Sequence, residues 1–505
     1  MTTQTWIGGP LGDWSTAANW VSGTVPSATD NVVINFANSM TISGMAAANS
    51  LTSAGSRFTI SGTLTIGTSL TLDGDRFSLN GGTLSAQSVV SQVIMTGGFV
   101  AFAGYGTIHV SDPVTGFIGV GAEHGILKAD VVPTAGRNNG VGYGISPGAT
   151  LELDGVIASS VGFTQSGRNF YGIYEEHPAT LKLDAPAAFT GSLDSMSIGD
   201  MVDLVGITAT SATTSFSGDL TIYETNGQQL IYPRSFIANS ARFLVASDNN
   251  GGSLVYLASR AATGPTTVQQ ELFGLYAAVY NRTADDLGMR YWVDVVARQA
   301  DASGITFASA ATTPISATDA ALLGRLFVST QSTYFNQIYG NLNDADFVDA
   351  LYFNMGGQHA ENSSAIAYWV NVVQRGAASG LSVQDARAAM VGQFVHDLID
   401  VDLAQWTAVL TPNELETAIL RQAVVNNKLA VSLAYANASA NPNGSFLNAH
   451  DVGDAAFQAQ VTAVTGMIIS PLGASVETAA IQRAVSDHNL ADIQLVGSLM
   501  PYPSA

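Results

Sequence analysis

At 505 residues the chain is long enough for two or three domains with sizeable cores, and a 47% hydrophobic fraction excludes wholesale disorder. It carries 39 acidic and 18 basic residues, net −21, with lysine only at Lys128, Lys182 and Lys428. No basic stripe is present to neutralise phosphate, which argues against nucleic acid and anionic membrane as partners, and the absence of cysteine excludes disulfides and thiolate metal sites.

From about Val32 to Leu257 the chain reads as short strands. Phe58–Ile60, Leu64–Ile66, Leu70–Leu72 and Phe77–Leu79 each alternate apolar, polar, apolar. Ser61-Gly62, Gly67-Thr68, Asp73-Gly74 and Asn80-Gly81-Gly82 separate them. Strands this short, with a small residue at each corner, predict a parallel β-helix or β-solenoid in which each turn stacks on the last. The competing reading is a Greek-key sandwich. Thr107–Val110, Thr150–Leu153, Thr180–Asp184 and Leu220–Tyr223 continue the scheme.

Around Ala261–Thr267 a small-residue linker with a proline changes the texture, and beyond it the apolar period is helical. Leu272, Leu275, Tyr276 and Val279 form one stripe; Trp292, Val295 and Val296 a second; Leu322, Leu323, Leu326 and Phe327 a third; Phe347, Leu351 and Tyr352 a fourth. Aromatics at this spacing read as core rather than as a ligand box. Helical segments are expected to continue over Asn413–Ala438, Asp454–Met467 and Val476–Asp487. The predicted architecture is multidomain β plus α: a β-solenoid over 1–262, an all-α duplicated domain over 268–403, and a helical C-terminal region over 404–505.

The duplication rests on two matching segments. Leu275-Tyr276, Asn281-Arg282, Asp285, Gly288 and Tyr291-Trp292, with Ser329 further on, are echoed by Leu351-Tyr352, Asn354 and Tyr368-Trp369. The pattern resembles a helical domain of unknown function that recurs in secreted and surface proteins of Gram-negative bacteria; the likeness covers about 270–400. The second copy has Gly356-Gly357-Gln358 and Asn362-Ser363 where the pattern expects Arg, Asp and Gly, so its loop lacks the polar residues of a site there. The opening Trp6-Ile7-Gly8-Gly9, Gly12-Asp13-Trp14-Ser15, Asn19-Trp20, Pro26 and Asp30–Ile34 looks like the start of many exported β-solenoids and adhesins. Phe189–Leu193 and Gly199–Leu204 resemble their later turns. The resemblance implies type I export and, for some such proteins, a surface layer. The glycine-aspartate nonapeptide of calcium β-rolls is not among the motifs present.

Localisation follows from two observations. Met1–Trp6 lacks the basic and apolar regions of a secretory signal, and no apolar run spans a bilayer, so membrane insertion is not expected. The composition, rich in Gly, Ser, Thr and Ala and free of cysteine, points outside the cell. An uncleaved export signal in the tail 490–505 reconciles the two.

Candidate chemistry is sparse. Asp73 and Asp75 flank Gly74, and Asp400 with Asp402 ends a carboxylate-rich helix after His396-Asp397; both pairs are candidates for Ca²⁺, with a solvated turn or face as the plainer reading. Tyr171, Tyr174, Glu175, Glu176 and His177 form the densest polar-aromatic cluster of the strand region and are candidates to line a saccharide groove or hold a metal, with a surface loop as the plainer reading. The seven histidines are dispersed without a His-Glu-x-x-His, and no Gly-x-Ser-x-Gly elbow stands out, although a Ser-His-Asp arrangement stays open. No cofactor or catalytic residue is assigned. The expected function is that of a structural protein, not an enzyme, self-assembling into a surface layer or matrix filament through strand edges at its ends. The alternatives are an adhesin for cell-surface polysaccharide or lipopolysaccharide, and a β-helix carbohydrate-active enzyme in which about three carboxylates converge on one groove together with Arg137 or Arg168.

Overall fold

The computed structural model describes residues 2–439 apart from 36–37, 93–99, 133–139, 165–177, 216–217, 234, 236–240, 260–263, 282–283, 285, 301–303 and 331. The chain divides into two compact units, with the main boundary between Leu257 and Ala258.

The first unit is a β-solenoid of about seven turns, as the short alternating segments predict. Its strands stack in parallel on three faces. One face runs through Thr3–Thr5, Asn31–Ile34 and Ser50–Ala54; the second through Leu11–Asp13, Ser39–Ile42 and Arg57–Ile60; the third begins at Met45–Ala48. Thr63–Asp73 and Arg76–Ser91 are long because each bends round a corner and serves more than one face. Corners need room. A Cβ on Gly62 would lie 2.1 Å from the Gly44 carbonyl oxygen, so only glycine lets the turns approach this closely.

Alternation sends every second residue inward, and successive turns place like on like. Val32 pairs with Leu51, Leu51 with Leu70 and Leu70 with Val89, all buried. Phe58, Phe77 and Phe102 stack with centroids 4.4 and 4.9 Å apart. The N-terminal end is closed by Trp6, Trp14 and Trp20, which meet edge to face at 5.0 and 4.9 Å, with the Trp20 indole N–H donating to the Trp14 carbonyl at 2.9 Å. Gly8 and Gly12 lie against the Trp6 ring, so the Trp/Gly opening motif is a cap.

A second motif has an equally local cause. The Ser27 N–H donates to the Asp30 carboxylate at 2.9 Å while the Asp30 N–H donates to the Ser27 carbonyl at 3.0 Å. Ser197 and Asp200 repeat both bonds at 2.8 and 3.0 Å. In each case the next residue starts a strand, Asn31–Ile34 or Met201–Leu204. The Asp is a turn clamp that launches a strand.

The described ends combine covered strands with open edges of the kind the sequence reading invoked for assembly: among the described residues Leu11–Asp13 and Met45–Ala48, which begin two of the faces, each pair with a strand on one side only. At the first turn the Val21 N–H donates to the Thr5 carbonyl, and Trp6 bridges Trp20. At the last, Met201–Leu204 pairs antiparallel with Ser253–Ser259. A three-stranded antiparallel sheet, Ala209–Thr214, Leu220–Glu224 and Gln229–Tyr232, brings Tyr232 edge to face with Phe189 at 5.0 Å.

The second unit holds nine helices among the described residues: α1 Val268–Tyr280, α2 Asp286–Gln299, α3 Phe307–Ala310, α4 Ala317–Thr330, α5 Ser332–Tyr339, α6 Asp344–Gly356, α7 Ser363–Ala378, α8 Val383–Asp400 and α9 Pro412–Ser439. Each copy of the repeat builds the same aromatic cluster. Tyr276 meets Phe327 at 4.9 Å and Trp292 meets Phe327 at 5.0 Å; Tyr352 meets Phe394 at 4.8 Å and Trp369 meets Phe394 at 5.4 Å. The tyrosine of each Tyr-Trp pair points out, Tyr291 being 50% and Tyr368 54% exposed, while both tryptophans are buried. The copies meet where α4 crosses α8 through reciprocal glycines. A Cβ on Gly324 would lie 2.6 Å from the Ala388 carbonyl oxygen, and one on Gly392 only 1.9 Å from that of Ala320. The expected segments beyond 440 lie outside the described residues.

Phe77 sits mid-stack with neighbours on both sides, so Phe77→Ala is expected to destabilise the solenoid by about 3–5 kcal/mol. Denaturant unfolding followed by the far-ultraviolet β signal measures it. An unchanged midpoint would mean the stack is not a determinant of stability.

Candidate functional site

The second copy of the repeat departs from the first for reasons visible in its caps. Gly357, at φ 67°, ends α6 in the left-handed conformation, and the Asn362 side chain opens α7 by accepting from the Ala365 N–H at 2.9 Å. Gly356 makes space: a Cβ there would lie 2.1 Å from Arg421 Cγ. Arg421, on α9, therefore reaches between the helices. Its guanidinium pairs with Glu361 at 2.6 Å, donates to the His359 carbonyl at 3.0 Å and lies 4.5 Å from the centre of the Tyr352 ring. Arg421 is buried, and a buried charge held without its partner would be costly.

This arrangement forms the floor of a cavity of about 490 Å³ within the helical unit, in the size range of small-molecule sites. Tyr352, Trp369, Arg421 and Gln422 lie at its buried base, where the Trp369 indole N–H donates to the Tyr352 hydroxyl at 3.2 Å. Its mouth carries Ser364, Tyr368, Asp397, Trp406 and Val409, all exposed. The cavity thus sits in the copy whose loop had lost the expected polar turn. Two of its polar groups, Arg421 and Gln422, come from α9, outside the repeat, and join Glu361, Asn362, Ser364 and Asp397 of the second copy; no comparison of the two copies would reveal the α9 pair.

The other sequence-predicted residues are placed as follows. Gly74 makes the corner between Asp73 and Asp75 with φ 70°, but Asp75 is buried, not solvated. Its carboxylate accepts from the Ser53 hydroxyl at 2.7 Å, the Ser56 N–H at 2.8 Å and the Asp73 N–H at 2.9 Å, while burial raises its pKa. Asp402 accepts from the Ala404 N–H at 3.1 Å and pairs with Arg242 at 2.8 Å; Asp400 is exposed beside it. Among the described residues no three acidic or histidine side chains gather as a metal cage. Tyr171, Tyr174, Glu175, Glu176, His177, Arg137 and Arg168 lie outside the described residues.

The sequence reading missed a ladder of charge on the third solenoid face. Lys128 lies in register with Glu152, Glu152 with Lys182, and Lys182 with Asp203. Lys128 contacts Glu152 at 2.6 Å and Asp184 at 3.1 Å, and Lys182 contacts Glu152 at 3.2 Å. These bonds hold the Lys128 ammonium above its usual range. Asp203, at the end, is pushed up to about 6 by burial and then by Asp248. A slip of one residue would turn every pair inward, so the alternation pins the register more than it adds stability. The signal was legible: Leu127-Lys128-Ala129, Leu151-Glu152-Leu153 and Leu181-Lys182-Leu183 place a charge at one offset in each strand.

Comparison with known proteins gives no match: no family model, no curated protein and no solved structure is similar to this chain.

Two ionisable groups of the helical core were also not foreseen. Lys428 is buried, donates to the Asn354 carbonyl and is pushed down to about 7 by burial. Glu271, fully buried in α1, faces His396 of α8 at 3.6 Å, an ion-pair distance and not a hydrogen bond. Burial raises Glu271 to about 7 from 4.5, and the pairing raises His396. With the folded value above the unfolded one, the stability contributed by Glu271 is full below 4.5 and lost as pH rises through 7. Glu271→Gln stays neutral, so it is expected to gain on the parent by up to about 3 kcal/mol between roughly pH 4 and pH 8. Denaturant midpoints at the two pH values check this; a constant difference would contradict it.

Proposed function

We propose that the chain is an extracellular structural protein, not an enzyme, whose copies assemble into a surface layer or matrix filament. The observation that carries this reading is the outward surface of the second solenoid face. Thr41, Thr59, Ser78 and Ala103 line up in register, followed by Gly121, Gly144 and Gly162. This column carries short uncharged side chains, bordered by Arg57 and Arg76 in register beside it and by Asp13 and Asp194 at its ends, so another sheet can pack along the column at about 10 Å with charge at its margins. Open edges at Leu11–Asp13 and Met45–Ala48 add end-to-end strand pairing as a second route to assembly beside lateral packing. Divalent ions such as Ca²⁺ would act by screening the net −21. The export and surface location rest on the motif resemblance and the composition. Sizing and solution scattering of the full chain, with and without Ca²⁺, are expected to show concentration-dependent oligomers, and Thr59→Lys to weaken them. A monomer under all conditions overturns the reading.

The cavity favours a second role, as a saccharide-binding adhesin. Tyr368 at 54% and Trp406 at 46% exposure offer ring faces at a mouth that also bears Ser364 and Asp397, a combination suited to a sugar's apolar face and hydroxyls. Binding on a glycan array is expected to fall at least about tenfold in Trp406→Ala, a loss of roughly 1.4 kcal/mol. Unchanged array binding in that variant would move the glycan site elsewhere.

A further inference from the structure

The third solenoid face brings His109 and Ser111 together with Asp130, which lies 21 positions beyond His109 in the sequence. His109 ends the strand Val100–Val110 with its side chain outward, and Ser111, two residues on, falls on the same side. Asp130, on the next turn, lies in register with His109. The Asp130 carboxylate is 2.7 Å from His109 Nδ1, and the Ser111 hydroxyl is 3.1 Å from His109 Nε2. A carboxylate can only accept, so in the neutral imidazole the proton sits on Nδ1. Nε2 then presents its lone pair to the Ser111 O–H, which donates. Nucleophile, base and orienting carboxylate are therefore linked at the distances that activate a serine. His109 and Asp130 are 46% and 41% exposed, so an incoming group reaches them without any rearrangement.

We propose that Ser111 is a reactive serine that accepts an acyl group from activated acyl esters. Ser111 Oγ attacks the ester carbonyl carbon, forming a new C–O bond as its proton passes to His109 Nε2, while Asp130 stabilises the imidazolium. The tetrahedral adduct collapses, the bond to the leaving oxygen breaks, and His109 returns the proton to that alkoxide or phenoxide. The products are acyl-Ser111 and the free alcohol or phenol.

The same geometry limits the reaction. The Ser111 N–H donates to the Ala86 carbonyl at 3.2 Å, and the Asp112 N–H donates to the Gln87 carbonyl at 2.7 Å. Both backbone donors next to the nucleophile are spent on the sheet, so neither stabilises the oxyanion. Acylation is thus stoichiometric and its reversal by water slow: a covalent attachment point on a structural protein rather than a hydrolase. This inference stands independently of whether copies assemble.

The test is treatment of the full chain with p-nitrophenyl acetate, followed by intact mass and peptide mapping. One acetyl group is expected on Ser111 ahead of other exposed serines such as Ser43. The rate should fall about a hundredfold in His109→Gln and at least tenfold in Asp130→Asn. Surface substitutions of this kind leave the solenoid packing intact, which far-ultraviolet circular dichroism verifies. Acetyl groups scattered over the surface with no preference for Ser111, or labelling of Ser111 at the parent rate in His109→Gln, overturns the proposal.

Discussion

Parallel stacking in register is the constraint on which the first unit depends. Each turn hydrogen-bonds to the next and puts its inward residues on top of the preceding ones, as Val32, Leu51, Leu70 and Val89 do. Once that register holds, much else follows from it. Phenylalanines separated along the chain become a stack; lysines and carboxylates at one offset become a ladder; His109 and Asp130 become neighbours. A slip of one residue would reverse inside and outside on the whole turn. The corner glycines and the Asp30 and Asp200 clamps set where each turn begins, so the register is fixed locally as well as by packing.

The helical unit is held by a different device. Two copies of one aromatic cluster are joined by a close crossing of α4 and α8, possible only because Gly324 and Gly392 have no side chain. The unit also buries ionisable groups at Glu271, Lys428 and Arg421, the first two pushed toward their neutral forms by burial. Arg421 is the most fully compensated, with an acid, a carbonyl and an aromatic face around it. Its presence turns a packing gap beside the second copy into a cavity with a polar floor.

Much of the fold was legible, because period and punctuation are local properties. Phe58–Ile60 and Phe77–Leu79 alternate with period two, Gly62 and Gly74 mark corners, and Leu275-Tyr276 with Leu351-Tyr352 announce a duplication. The reading erred where a residue's surroundings come from far along the chain. Asp75 looked like a solvated turn residue, yet Ser53 and Ser56 of the preceding turn enclose it. Glu271 attracted no notice among its apolar neighbours, because nothing nearby in sequence shows that α8 will cover it. The cavity was missed for a similar reason: the second copy was judged by its own loop, while Arg421 and Gln422 arrive from α9.

The sequence alone determined the class of each unit, the place of the change from strand to helix, and the absence of thiol chemistry and of a basic surface. These depend on periodicity and composition, which survive without any knowledge of contacts. Tertiary structure alone decided which side chains meet: Arg421 with Glu361, Lys128 with Glu152, and His109 with both Ser111 and Asp130. Such meetings depend on the length of a solenoid turn and the angle of a helix crossing. Both are set by packing across many residues, so no short stretch of the chain records them.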